Sequence, residues 1–145
     1  MSEQKKLKES DEDFIRRYNW FDRKEDLPHE GIHIARLWKM KDAPESWMGD
    51  QVFIYFLIED PKGKFGKFLA GMLTLRKLEQ SVLLFHLWKV LTKKKKPSGF
   101  ITDADLSHYY GKKLKVKIVH TYGSKIRKWC PRVVAVFDAH AEAMK

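Results

Sequence analysis

The chain holds a single cysteine, Cys130, so no intrachain disulfide can form, and a reducing, cytoplasmic setting fits that usage. It has no apolar run near the ~20 residues of a membrane-spanning helix, and its charged N-terminus has no apolar stretch behind it. The reading therefore includes no membrane and no secretory leader. A G-x-x-x-x-G-K-[ST] phosphate loop and a G-x-S-x-G nucleophile elbow are both missing, which removes two familiar signatures of nucleotide hydrolysis and acyl transfer. Acidic residues are also in short supply: 19 against 29 Lys and Arg, a net charge of +10 and a pI near 9.6. The deficit is uneven. Residues 1–30 carry seven basic and nine acidic side chains, so the rest of the chain holds a net +12. Charge of that sign on a folded body attracts polyanions, since neutralised phosphates release their counterions.

With 145 residues, 43% hydrophobic and 13% aromatic, the chain is sized for one domain with one core. Its organisation divides into a polar N-terminal segment (1–26) with a short helix, a mainly β domain (27–140) and a short tail (141–145). Ser10 with Asp11, Glu12 and Asp13 forms a helix start, and Phe14 and Tyr18 share one face of a helix over about 11–21. A first strand begins near Gly31, with a bulge near Arg36 where the alternation slips. The clearest strand is Gln51–Glu59: Val52, Ile54, Phe56 and Ile58 occupy one face, and Phe53, Tyr55 and Leu57 the other. The turn Asp60–Gly63 leads to a third strand from about Lys64 to Leu75. Glu79–Leu91 shifts to helical spacing. A fourth strand, Lys112–His120, alternates Leu114, Val116 and Ile118 with Lys113, Lys115 and Lys117, and a fifth spans about Trp129–Phe137. The expected fold class is mainly β with helices: a five-stranded barrel in which three strands, a helix and two strands follow one another, preceded by the N-terminal helix.

Two patterns carry candidate chemistry. Single-stranded nucleic acids are held by cations that follow the backbone and by rings on which bases stack. Trp38, Phe53, Tyr55 and Trp129 are the candidate stacking residues. Lys64, Lys67, Lys113, Lys115, Lys117 and Arg127 are the candidate phosphate contacts. The competing reading buries Phe53 and Tyr55 beneath the N-terminal helix, whose Phe14 and Tyr18 need a surface, and leaves the lysine stripe as a solvated strand face. The run Lys93–Lys96 serves equally as a solvated linker, a backbone clamp or a transport address. The second pattern is His29-Glu30-Gly31-Ile32-His33, which matches the H-E-x-x-H zinc-protease motif. That chemistry needs both histidines on one helical face, and here the motif runs into a strand and contains Gly31. Cys130, before a proline and an apolar strand, reads as a packed residue.

The run Leu27–Ala139 resembles the small phage-type single-stranded DNA-binding proteins with an OB-fold. The residues that carry the likeness are Gly31-Ile32-His33-Ile34-Ala35-Arg36-Leu37, the Gln51–Asp60 strand, the helix after the third strand and Tyr110-Gly111-Lys112-Lys113-Leu114-Lys115-Val116-Lys117-Ile118. The resemblance implies non-catalytic binding of single-stranded DNA in replication, recombination or repair; RNA is the other strand the chain could take, and the reading includes no cofactor and no metal. Members often end in an acidic recruiting tail; this chain ends Ala139-His140-Ala141-Glu142-Ala143-Met144-Lys145. That departure leaves room for a barrel reused as an inhibitor or adaptor that binds a protein or ribonucleoprotein partner, and edge strands leave room for a homodimer. A zinc-dependent hydrolase through His29 and His33 is the remaining alternative.

Overall fold

The computed structural model describes residues 9–43, 50–63, 65–93 and 99–140. Helix α1 (Asp11–Asn19) is followed by a 3-10 turn at Lys24–Asp26, then by strands β1 (Gly31–Asp42), β2 (Gln51–Glu59) and β3 (Lys67–Leu75). After a 3-10 turn at Leu78–Gln80 come helices α2 (Val82–Thr92) and α3 (Asp103–Ser107), then β4 (Lys113–Gly123) and β5 (Lys128–Asp138). The five strands close into a barrel whose spatial order is β1-β2-β3-β5-β4. Strand existence and chain order follow the alternation in the sequence. The exchanged positions of β4 and β5 in the sheet do not, because β5 leaves its hairpin with β4 to meet β3 in parallel at Gly71 and Arg132.

Closure depends on β1. Its first half pairs with β4 from Gly31–Ile118 to Arg36–Lys113, and its second half pairs with β2 from Arg36–Leu57 to Asp42–Val52. Between the halves the register slips across Leu37 and Lys39, two residues beyond the expected bulge. A bulge bends and twists a strand, which is what lets one strand serve two sheets' worth of neighbours.

Period-2 alternation fills the interior. Leu37, Val52, Ile54, Phe56, Ile58, Met72, Leu114, Val116 and Ile118 are all essentially inaccessible. Helix α2 packs against β5 and β3 and adds Leu84, Leu87 and Leu91 to the same core. Ser81 caps it by accepting from Leu84 N at 3.0 Å, and Lys93, in the left-handed conformation at φ 62°, ends it while pairing with Asp138. The remainder of the lysine run, 94–96, lies outside the described residues, as does the tail 141–145.

Two polar ties fix the barrel's connections. Thr102 and Asp105 form a reciprocal capping box on α3. The Tyr110 hydroxyl donates to Asp103 and accepts from Met40 N, binding this region to the second half of β1. On the other side, Arg76 forks to Asp50 (Nε, 2.9 Å) and Asp42 (Nη2, 2.6 Å), the two stems of the β1–β2 connection. Among the described residues no helix is long and apolar enough to cross a membrane.

Truncation of an interior ring tests this core. Phe56→Ala is expected to cost about 3–5 kcal/mol in urea unfolding, whereas Lys113→Ala on the outer face should stay within about 0.5 kcal/mol.

Candidate nucleic-acid interface

Strand register places the outward side chains in rows that cross the sheet. One row runs Lys113, Arg36, Leu57, Leu69, from β4 through β1 and β2 to β3. The next runs Lys39, Tyr55, Gly71, Arg132, and beside it lie Lys41, Phe53 and Leu73. Going the other way, Lys115 faces Ile34 and Lys117 faces Ile32. The lysine stripe and the aromatic pair therefore lie around one curved surface, joined by the outward residues of β1.

The aromatic part is compact. Phe53 and Tyr55 lie at 5.6 Å and 23°, and Trp38, at the β1 bulge, meets Tyr55 edge-on at 6.4 Å. The Arg132 guanidinium sits 5.5 Å from the Phe53 ring centre. Gly71 permits this arrangement, since a Cβ there would stand 3.1 Å from Tyr55 Cε1. Tyr55 is only 6% exposed, and burial pushes its hydroxyl up to about 12.

What covers Tyr55 includes α1. The helix packs over β3, with Phe14 stacked on Trp38 at 4.9 Å and Tyr18 4.7 Å from Phe14. Lys67 reaches over both rings, at 5.0 Å from Phe14 and 4.9 Å from Tyr18. Its acidic first turn pairs Asp11 with Lys39 (3.1 Å) and Lys41 (3.9 Å), and Glu12 with Lys41 (3.1 Å). The bond to Lys41 holds the Glu12 carboxyl below its ordinary range. Phe53 and Tyr55 do face outward, but the helix shares their surface. A groove of about 510 Å3 remains beside it, floored by Phe53 and Tyr55, walled by Ile15, Trp20 and Ile126, and rimmed by Arg16, Lys41 and Lys128 together with the carboxylates of Glu12 and Asp42.

The other expected contacts divide. Lys113, Lys115 and Lys117 point outward from β4, as their alternation predicts, beside Arg36 and an Ile34 that is 56% exposed. A second cleft of about 350 Å3 opens there between Ile34, Arg36, Lys113, Leu57, Glu59 and Pro61. Arg127 is exposed in the β4–β5 turn at φ 57°. Trp129 is not brought to the aromatic face. Its backbone exchanges two hydrogen bonds with Phe21 (2.8 and 2.7 Å), and its ring packs on the core near Tyr122 and Lys24. Lys64 lies outside the described residues. Lys39, Lys41 and Arg132 are the contributors that sequence reasoning missed. Their signal was alternation with buried Met40 and Val133 on strands read for their apolar rows alone.

The His29–His33 segment enters β1 instead of forming a helix. The His33 Nε2–H donates to the His29 carbonyl (2.9 Å), and Glu30 accepts from His120 N (2.7 Å), so two of the three motif side chains serve the backbone. Among the described residues no group of three or more His, Cys, Asp or Glu is placed to hold a metal ion. No protein-family model matches the chain, and no curated protein matches it.

Two measurements follow from this geometry. Tyr55, neutral in the fold and raised from 10.0 to about 12, contributes stability that is intact below about pH 10 and is lost as pH rises toward 12. Tyr55→Phe should flatten that part of the alkaline stability profile in urea titrations. Arg127→Gly should raise the unfolding midpoint, since glycine relieves about 1 kcal/mol of left-handed strain, while removing one cation from the turn.

Proposed function

We propose that the protein binds single-stranded nucleic acid, DNA in preference, with little regard to sequence and without a catalytic step, in replication, recombination or repair. The finer fold assignment belongs to the same proposal. A five-stranded barrel with a β1-β2-β3-β5-β4 sheet order and a helix between β3 and β4 has the arrangement of an OB-fold. The observation that carries the reading is the Phe53–Tyr55 pair on the outward face of β2, flooring a groove beside Arg132 whose rim holds Arg16, Lys41 and Lys128 with Glu12 and Asp42, on a surface that continues through β1 to the lysines of β4. Flat rings stack on any base, and separate cations neutralise the phosphates between them. Arg132 and Lys128 take the near phosphates in this reading, and Arg36, Lys113, Lys115 and Lys117 the far ones.

Fluorescence anisotropy with labelled oligothymidylate at low salt tests it. Phe53→Ala should weaken binding roughly 5- to 150-fold, the value of one base stacked on a ring at about 1–3 kcal/mol. Lys113→Ala and Lys117→Ala should each weaken binding evenly across sequences and reduce the salt slope by about 1. Undetectable binding at low salt would end the proposal.

A further inference from the structure

Helix α1 meets the barrel with the chemistry of the ligand just proposed. Its carboxylates stand against Lys39 and Lys41, where phosphates would stand. The Phe14 ring lies on Trp38 at 25°, where a base would stack, and Lys67 sits over Phe14 and Tyr18 as a cation beside a stacked pair. The surface beneath is apolar and outward-facing: Leu69 alternates with core-facing Phe68 and Ala70 yet is fully buried.

The helix is lightly seated. Of its nine residues only Asn19 is buried. Its ion pairs to Lys39 and Lys41 involve side chains about 30–66% exposed, and such pairs contribute about 0–1 kcal/mol each. Alone, a helix below about 12 residues is marginal in water. The chain is pinned just after it, where Phe21 is bonded in both directions to Trp129. The helix can therefore leave without disturbing the segment that leads into β1.

Resting on the nucleic-acid reading, we infer that the surface under α1 is a second, closed part of the strand-binding site, that α1 is its resident competitor, and that a strand reaching past the open groove displaces it. Short strands occupy only the groove between α1 and the β4–β5 turn. Longer strands exchange their phosphates for Asp11 and Glu12 and their bases for Phe14. The exchange has a thermodynamic signature. A phosphate that replaces a carboxylate on the same lysine releases few additional counterions, so the salt dependence of long-strand binding is blunted by the helix.

The test uses the full chain and its Asp11→Ala/Phe14→Ala variant, which removes the Lys39 pair and the Trp38 stack of α1 and touches no residue lining the open groove, with oligothymidylates of about 4 and about 16 nucleotides, the range of sites on one such barrel. The variant should bind the longer strand roughly three- to tenfold more tightly, with a salt slope steeper by about 1, and the shorter one as the parent does. Glu25→Ala, which removes one negative charge away from this face, sets the gain due to net charge alone. Hydrogen exchange should show amides 14–19 losing protection in the saturated long-strand complex and keeping it with the short strand. Binding of the long strand with α1 still protected, or a variant gain no larger per charge than that of Glu25→Ala, would overturn the inference and leave the nucleic-acid reading standing. Failure of both strands to bind would remove both.

Discussion

Everything in this molecule depends on one strand being shared. β1 gives its first six residues to β4 and its second half to β2, and the slip at Leu37–Lys39 turns it from one partner to the other. Without that bend the sheet would stay open, and β3 and β5 would have no reason to meet at Gly71 and Arg132. The same bend sets the outer surface. It projects Trp38 and Lys39 next to Tyr55 and keeps Arg36 beside Lys113, so a single irregularity links the aromatic patch to the cationic one.

The outer surface is partitioned by charge. The N-terminal thirty residues carry a net negative charge and the barrel a strongly positive one. The structure lays the first against the second along Lys39, Lys41 and Lys128, the last pairing with Asp22 at 2.7 Å. The lysines of β4 lie around the barrel from that contact. Part of the cationic surface is thus answered by the N-terminal carboxylates, and another part borders a cleft lined by Ile34, Arg36, Lys113 and Glu59. Attraction of this kind is long-ranged and weakens with salt over about 10 Å at 0.1 M.

What the sequence made legible was periodicity. Gln51–Glu59 was readable to the residue because Val52, Ile54, Phe56 and Ile58 form an unbroken inward row. The β4 lysines were readable because Leu114, Val116 and Ile118 fix the opposite face. Illegible were the features set by contacts between distant segments. Phe14 and Tyr18 announced a helix face and the β2 rings as one surface for it, but not the stacking of Phe14 on Trp38, which lies 24 residues further along. Trp129 looked like a ring beside two cations, and only its pairing with Phe21 shows that it belongs to the core side. Helix α3 escaped notice because five residues are too few to display a period, although Thr102 and Asp105 stood at capping-box spacing.

The guanidinium of Arg76 has a use beyond stability. By gripping Asp42 at the end of β1 and Asp50 just before β2, it sets the separation of those two stems from a third element. The spacing of the two stems is thereby held from outside their own connection. That junction is accordingly a site where evolution, or a protein engineer, can lengthen or replace the bridging residues and graft new recognition onto the rim while the underlying scaffold keeps its shape.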